Sequence, residues 1–367
     1  MSIRCTDVMT VAARDNNSIR PYIYVNPLQG KHIPVSPSRS LELFSMLADI
    51  VSVRYKSEQL LIVGFAETAT AIGSSIAWYA NNVKYYISTT RENIPGSSYI
   101  SFTESHSHAK DQRLSDNKLK ECLLNVDRIV FAEDEVTTGN TIEKCMAQFA
   151  DQPIKFGIIS VLNSMSDERL EHFSDIGVQV DFLFHVENSP VTPVCEFLPP
   201  VGLCTDRPSI MPRFLDVANL WNERIITKTE ELRSSTSQFA NEILEHLNIS
   251  ENDKKILVLG TEEFMFPAMY LGSLIEDRLP ASKVKFHATT RSPILVSSDS
   301  DYPLRNRSVL ESFYESGRQT SIYNLERYNK VIIATDAEEM VPDGVNSLVN
   351  ALVRFGNTDI TVIRWRP

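Results

Sequence analysis

The sequence predicts an α/β protein in two domains, and three observations carry this prediction. Apolar runs of strand length alternate with amphipathic stretches of helix length in both halves of the chain. A Pro-rich segment without such periodicity, residues 187–212, separates the halves. Three short motifs of the first half recur at similar spacing in the second. Apolar strands that alternate with helices indicate mainly parallel sheets flanked by helices on both faces.

Helices and strands alternate along the first half, except where two strands follow one another around a long polar stretch. Ser40 precedes an apolar helical period and is a suitable N-cap. The run QLLIVGF is apolar throughout and ends at Gly64, as expected of a strand buried on both faces. In chain order we expect helix 40–55, strand 59–65, helix 68–82, strand 83–91, strand 128–134, helix 141–150, strand 154–162, helix 167–177 and strand 180–186. The polar stretch 93–114 is long for a compact domain, which is typical of a lid or a disordered loop.

The second half resumes the alternation with a predicted helix 222–248 and a predicted strand 255–260. We predict one domain over residues 1–200 and another over 213–367, the second a degenerate repeat of the first. Chance similarity between apolar strands is the alternative. The motif pairs are LIVGFAETA (61–69) with LVLGTEEFM (257–265), YYISTTREN (85–93) with KFHATTRSP (285–293), and RIVFAEDEV (128–136) with KVIIATDAE (330–338).

Composition restricts the class of protein. The chain has 367 residues, 43% hydrophobic and 23% charged, which is globular rather than disordered. Its net charge of −11 argues against non-specific nucleic-acid binding, which needs an excess of Lys and Arg. No apolar run approaches the roughly 18 residues of a membrane helix, and the N-terminal segment lacks the apolar core of a secretory signal. The five cysteines form no C-x-x-C pair. We therefore expect a cytoplasmic protein with reduced thiols.

Carboxylates end one of the predicted buried strands in RIVFAEDEVTTGNT (128–141). In an open parallel sheet, ligands bind at the carboxyl ends of strands, where Glu133 and Asp134 lie. The turn that follows leads into a helix N-terminus, which favours a phosphate group. The acids would repel that phosphate but suit vicinal hydroxyls, so a sugar phosphate satisfies both parts. An ordinary strand with a solvated acidic loop is the alternative. The turn residues are Val136, Thr137, Thr138, Gly139, Asn140 and Thr141.

This arrangement resembles the signature of type I phosphoribosyltransferases: four apolar residues, two acids, a variable residue, an apolar residue and a Thr/Gly turn. Asn140 departs from the commonest Gly of that signature. The resemblance implies phosphoribosyl pyrophosphate as substrate, with the 5-phosphate in the turn and the ribose hydroxyls on Glu133 and Asp134. In the same superfamily the loop after the first strand holds pyrophosphate, often through an unusual peptide. Here that loop includes Glu67, Thr68 and Ala69.

The segment after STTRE resembles the orotate phosphoribosyltransferase branch, in which a basic loop closes over the pyrophosphate. The resemblance implies catalytic roles for Arg91, Lys110, His106 and His108. A surface salt bridge is the alternative for Arg91; the two histidines could instead bind a transition metal or belong to a solvated loop. The segment NPLQGKHIPVSP (26–37) resembles the base-holding hood of that branch. Its candidate base-binding residues are Lys31 and His32.

A closer resemblance, over roughly residues 20–365, is to a bacterial two-domain family. GFAETATAIG, STTRE, SHSHA, EDEVTTGNT and TTRSP carry it. In that family a phosphoribosyltransferase-like domain precedes a domain named for its TRSP motif, here residues 290–293. Members occur in tellurite-resistance and stress gene neighbourhoods and are proposed to help make a nucleoside-like metabolite.

The family resemblance implies an Mg²⁺-dependent transfer of 5-phosphoribosyl from phosphoribosyl pyrophosphate to an unidentified nitrogenous base. Mg²⁺ would be held through the substrate, with Glu133 and Asp134 as the candidate protein contacts and no other direct ligand. A homo-oligomer or a biosynthetic complex is the expected assembly, without nucleic acid or membrane. A non-catalytic sensor of phosphoribosyl pyrophosphate, or a scaffold, is the alternative. In the second domain TDAEEMVPDG replaces the Thr/Gly turn, so we expect no second sugar-phosphate site, although Arg291 persists.

Overall fold

The computed structural model describes residues 3–15, 20–102, 112–186, 190–218 and 221–366. The helices of these residues are α1 (Cys5–Val8), α2 (Pro37–Arg54), α3 (Thr70–Tyr79), α4 (Leu119–Leu123), α5 (Asn140–Ala147), α6 (Asp167–Asp175), α7 (Thr229–His246), α8 (Phe266–Arg278) and α9 (Pro342–Arg354). None of these helices is both long enough and apolar enough to cross a membrane.

The strands of the same residues are β1 (Thr10–Ala13), β2 (Tyr22–Val25), β3 (Leu60–Gly64), β4 (Val83–Ser88), β5 (Tyr99–Phe102), β6 (Gln112–Ser115), β7 (Arg128–Val136), β8 (Lys155–Asn163), β9 (Gln179–His185), β10 (Phe197–Leu198), β11 (Arg213–Ala218), β12 (Thr227–Lys228), β13 (Lys255–Gly260), β14 (Lys283–Ala288), β15 (Val296–Ser297), β16 (Arg307–Glu311), β17 (Gln319–Tyr323), β18 (Lys330–Thr335) and β19 (Ile360–Arg366).

The chain divides into two compact units, and neither is a continuous stretch of sequence. The central unit consists of Leu41–Asn188 and Leu220–Ser235. The carboxyl unit consists of Met1–Ser40, Ser189–Asn219 and Thr236–Pro367. The domains predicted from the sequence are continuous stretches, and their boundaries stay predictions.

The central unit is built on a six-stranded sheet in the order β12-β4-β3-β7-β8-β9. Its strands are parallel except β12, which pairs antiparallel with β4. Leu61, Val63 and Phe131 lie in one buried apolar cluster with side chains from the covering helices. Every residue of β3 is buried, which explains its uninterrupted apolar sequence.

The carboxyl unit is built on a five-stranded parallel sheet in the order β11-β19-β18-β13-β14. Four of its strands, β14-β13-β18-β19, have the same order and direction as β4-β3-β7-β8 of the central unit. In each unit an antiparallel hairpin, β16–β17 or β5–β6, lies in the connection before the third of these strands. The predicted α/β architecture with mainly parallel sheets and flanking helices is therefore confirmed.

The amino-terminal segment Met1–Ser40 belongs to the carboxyl unit. Strands β1 and β2 pair antiparallel, and Ala12 and Val25 are fully buried in a cluster with Ile294 and Val296. The Pro-rich segment is anchored in the same unit, because β10 pairs with β15 and the N–H of Val201 donates to Arg307 O at 2.7 Å. These contacts hold the Pro-rich segment by its backbone.

Two predicted elements differ most from the structure, and the helix α4 was not predicted. The stretch 93–114 is not irregular throughout, because β5 and β6 pair within it as an antiparallel hairpin and bury Phe102 and Leu114. The helix predicted over 222–248 begins later, at Thr229. The residues before Thr229 pair with the central sheet instead. The N–H of Ser88 donates to Glu223 O at 2.7 Å, and β12 pairs with β4. The short helix α4 has too little periodicity to be recognised in the sequence.

Candidate functional site

Two acidic residues lie at the carboxyl end of β7, between β3 and β8. Glu133 pairs in register with Ser160 of β8, and the strand continues through Asp134 to Val136, two residues beyond the predicted end. Glu133 and Asp134 are both half-buried. Carboxylates in this position remain accessible to a ligand while part of their hydration is removed, so hydrogen-bond donors such as sugar hydroxyls are suitable partners.

The turn after β7 forms the amino end of helix α5. Gly139 precedes the helix with φ of +71°, and the Asn140 N–H lies 3.4 Å from Thr138 Oγ1. A Cβ atom on Gly139 would lie 2.7 Å from the ring of Phe173, so this position requires glycine both for its backbone and for its lack of a side chain. The N–H groups of the first turn and the helix dipole favour an anion here. Val136 and Gly139 are buried; the half-buried residues are Thr137, Thr138, Asn140 and Thr141.

Arg169 of helix α6 supports this turn, and the sequence did not reveal it. Its Nε donates to Thr138 O at 2.9 Å, and its Nη2 lies 3.3 Å from Asn140 Oδ1 and 2.8 Å from Glu143 Oε2. Hydrogen bonds from Arg169 and from His172 hold the pKa of Glu143 below its ordinary value. The turn is thus braced by a cation whose position depends on how α6 packs beside α5.

The loop between β3 and α3 lies beside the acidic strand end. Its Ala66–Glu67 peptide is cis. The Ala66 N–H donates to Thr89 Oγ1 at 2.8 Å, and the Gln112 side-chain amide donates to Ala66 O at 2.5 Å. These two contacts fix the loop to the residue that follows β4 and to the hairpin. Of the predicted pyrophosphate residues, Glu67 and Ala69 are buried and Thr68 is half-buried.

The close approach of α3 to β3 shapes this loop. A Cβ atom on Gly64 would lie 2.9 Å from Ala69 O, and one on Gly73 would lie 2.9 Å from the Cα of Gly64. Two glycines thus let the helix begin directly above the strand end.

Arg91 follows β4 at the same edge of the sheet and is half-buried. The residue before it is fixed to the hairpin, because Thr90 and Arg113 exchange two N–H to carbonyl hydrogen bonds of 2.8 and 3.0 Å. Since β4, β3 and β7 are adjacent and parallel, their carboxyl ends bring together Arg91, the loop after β3, the acid pair and the turn. His106, His108 and Lys110 lie outside the described residues.

The predicted base-binding pair belongs to the other compact unit. Lys31 is 1% exposed and its Nζ donates to Glu262 O at 2.6 Å. His32 is buried with its ring centroid 5.9 Å from that of Tyr323. The structure therefore does not place Lys31 and His32 in the unit that carries the acid pair.

The described residues contain no group of three or more His, Cys, Asp or Glu side chains arranged to hold a metal ion. Glu133 and Asp134 are the oxygen donors at the strand end. Hard oxygen donors of this kind suit Mg²⁺ that keeps several ligands from water or substrate.

Comparison with known families assigns both halves of the chain. A family model described as a phosphoribosyl transferase matches residues 8–188. A second model, described as the TRSP domain at the C terminus of that transferase, matches residues 226–352. No match was found among curated proteins.

Solved phosphoribosyltransferases resemble about half of the chain at low identity. Adenine phosphoribosyltransferase from Thermoanaerobacter pseudethanolicus is 12% identical over 49% of this chain and 96% of that chain, with a TM-score of 0.35. The Trypanosoma brucei enzyme, in complex with AMP, pyrophosphate and ribose-5-phosphate, is 14% identical over 52% of this chain and 85% of that chain, with a TM-score of 0.34. At these values the likeness does not identify a substrate.

Proposed function

Because the chain belongs to the family of phosphoribosyl transferases that carry a C-terminal TRSP domain, we propose that it transfers 5-phosphoribosyl from phosphoribosyl pyrophosphate to a nitrogenous base. The observation that carries the proposal is the acid pair of β7 followed directly by a glycine turn at the start of α5. In the reaction, pyrophosphate leaves C1 of the ribose and a nitrogen of the base bonds to that carbon through an oxocarbenium-like state.

Each part of the site has a proposed role. The turn from Val136 to Thr141 binds the 5-phosphate through backbone N–H groups and hydroxyls. Glu133 and Asp134 accept hydrogen bonds from the ribose hydroxyls. The Glu67–Ala69 loop binds pyrophosphate, whose departing charge Arg91 and Lys110 neutralise. His106 and His108 are proposed to contact the substrate from the same loop as Lys110. Catalysis is then mainly positioning and charge stabilisation.

Mg²⁺ is the proposed cofactor, which Glu133 and Asp134 would help to hold together with the substrate. When bound, it supplies positive charge for the leaving pyrophosphate. The base stays unidentified, and a base contact by Lys31 and His32 stays a prediction. We also keep as proposals a cytoplasmic location, an assembly as homo-oligomer or biosynthetic complex, and a link to a nucleoside-like metabolite of stress or tellurite resistance.

We interpret the carboxyl unit as a degenerate repeat of the central one. Equivalent threonines support this interpretation: Thr89 Oγ1 accepts the N–H of Ala66 at 2.8 Å, and Thr289 Oγ1 accepts the N–H of Glu262 at 2.9 Å. The shared strand order supports it as well. The carboxyl unit has no counterpart of the glycine turn, since α9 begins with Pro342 after an acidic segment.

The experiment that tests the function has two stages. Isothermal titration with phosphoribosyl pyrophosphate and Mg²⁺ measures binding, and release of pyrophosphate with a panel of nucleobases and small aromatic acids measures turnover. Binding without turnover for any acceptor would favour the alternative, a sensor or scaffold.

The first prediction concerns the acid pair. Replacing both Glu133 and Asp134 with Ala removes the ribose contacts, so we expect phosphoribosyl pyrophosphate binding to be lost while the circular dichroism spectrum is retained. Glu171→Ala, which removes an exposed carboxylate from α6 of the same unit, is the matched control and should bind normally. Unchanged binding by the double variant would remove the basis of the site.

A further inference from the structure

The carboxyl unit contains a buried cluster of charges at the carboxyl end of its sheet. Glu262, in the loop after β13, is 1% exposed. Its Oε2 lies 3.0 Å from Arg291 Nε and 2.9 Å from Arg318 Nη2, and its Oε1 accepts the hydroxyl of Ser312 at 2.6 Å. Two arginines and a hydroxyl therefore converge on one carboxylate.

The loop that carries Glu262 receives further positive charge. Lys31 Nζ donates to the carbonyl oxygen of Glu262 at 2.6 Å, and the adjacent Glu263 lies 3.5 Å from Arg291 Nη2. The Arg291 and Arg318 side chains keep 13% and 15% of their exposure, whereas both glutamates keep 1%. The arginines thus connect the buried carboxylate to solvent.

The two arginines lie at positions equivalent to those of Arg91 and Lys110, the cations of the proposed transferase site. Arg291 is the third residue of the repeated TTR triplet, as Arg91 is in the central unit. The second correspondence follows from the hairpins: Thr290 bridges Ser321, and Thr90 bridges Arg113. Counting back three positions from each hairpin partner gives Arg318 in one unit and Lys110 in the other.

Asp336, which follows β18 at this sheet edge, is also engaged by the chain itself. Tyr314 OH donates to Asp336 Oδ1 at 2.6 Å, and Thr261 Oγ1 donates to Thr335 Oγ1 at 2.7 Å. Asp336 corresponds to Asp134 in the aligned motifs. Both the cationic and the acidic positions of this unit are therefore satisfied from within.

We propose that the carboxyl unit retains an anion-binding site that its own Glu262 carboxylate fills, and that removing this carboxylate opens the site to small carboxylate, phosphate and pyrophosphate anions. The charges argue for this. A carboxylate held by two arginines and a hydroxyl makes the contacts that a phosphoryl group would make. Without Glu262, the largely buried guanidinium groups would lose the carboxylate that they share, with Glu263 left beside Arg291 and Glu315 beside Arg318, and an anion from solvent would replace it.

The test uses the full chain with Glu262→Ala, which removes the carboxylate and leaves space, and Glu262→Gln, which removes the charge but keeps the shape. Glu311→Ala is the matched control: Glu311 is a buried glutamate of the same unit, 7% exposed, that accepts the N–H of Gly317 rather than an arginine. Thermal unfolding is followed with sodium acetate, inorganic phosphate or pyrophosphate at constant ionic strength.

We expect Glu262→Ala to lower the midpoint of thermal unfolding by about 10 °C. Millimolar acetate or phosphate should then raise the midpoint of Glu262→Ala by about 3 °C or more in excess of the rise that the same anion causes in the wild type. A bound anion stabilises the folded state by mass action. Glu311→Ala should respond to anions as the wild type does. The double variant Glu262→Ala/Arg318→Ala should lose the added response.

Equal anion responses in the wild type and both Glu262 variants would overturn the proposal and leave the carboxylate a structural group only. If Glu262→Ala does not fold, its refolding yield from urea is compared with and without acetate. A yield that acetate does not raise would overturn the proposal equally. Because the readout is the added response over the wild type, the result does not depend on activity of the central unit.

Discussion

Arg169 offers the sharpest test of how the proposed phosphate turn is held. Arg169→Ala removes the 2.9 Å hydrogen bond to Thr138 O and the contacts to Asn140 and Glu143. A hydrogen bond from a charged donor contributes about 1.5–3 kcal/mol. If that energy holds the turn in the conformation that binds phosphate, its loss raises the dissociation constant for phosphoribosyl pyrophosphate about 10- to 100-fold.

Isothermal titration of phosphoribosyl pyrophosphate in the presence of Mg²⁺ measures this dissociation constant. Thermal unfolding shows whether the variant is still folded. The Arg169 guanidinium also lies 5.0 Å from the ring centroid of Phe173, so the loss of this contact should lower stability by about 1 kcal/mol in addition to the effect of the lost hydrogen bonds. Arg169→Lys keeps the charge but not the planar fork, and should recover only part of the affinity. Arg54→Ala is the control, because Arg54 forms a 2.7 Å ion pair with Asp181 and does not contact the turn. An unchanged dissociation constant for Arg169→Ala would refute the reasoning.

Three further predictions concern mobility, truncation and pH. Hydrogen exchange over 93–114 should slow when phosphoribosyl pyrophosphate binds; exchange that does not respond would count against a lid. In a fragment 1–212 the segment Met1–Ser40 loses its apolar partners from the rest of the carboxyl unit, so limited proteolysis should remove it. A fragment as soluble, monomeric and active as the full chain would contradict this. Hydrogen bonding by Arg128 lowers the pKa of Glu58 to about 2. The stability that the ionised Glu58 carboxylate contributes is therefore present above about pH 4.5 and lost as pH falls toward 2. Urea unfolding should show that Glu58→Gln is less stable than the wild type at pH 7 and nearly as stable at pH 2.

The parts of the structure that the sequence predicts are those set by local chemistry. Strand β3 was recognisable because burial on both faces demands apolar residues at every position. The turn at Gly139 was recognisable because a strand end, hydroxyls and a glycine follow one another directly. The family resemblance drawn from these motifs is confirmed by the two family matches.

The parts that escaped prediction depend on residues far apart in sequence. Arg169 contacts Thr138 across 31 positions, and only the packing of two helices brings them together. Lys31 contacts Glu262 across 231 positions, so nothing near KHIP indicates that the segment Met1–Ser40 joins the carboxyl unit. Gln112 holds the loop after β3 through a hairpin that the polar sequence of 93–114 conceals.

The division of the carboxyl unit along the chain has a consequence for its synthesis. The segment Met1–Ser40 leaves the ribosome before the residues it packs against, since Ala12 and Val25 are buried against Ile294 and Val296. At about 5–20 residues per second, these partners follow after roughly 15–60 s. All strands of the central sheet except β12 have been made well before then, and β12 itself also precedes them. The apolar side chains of β1 and β2 therefore stay without these partners while the central sheet is synthesised. During that interval they are accessible to chaperones on the nascent chain.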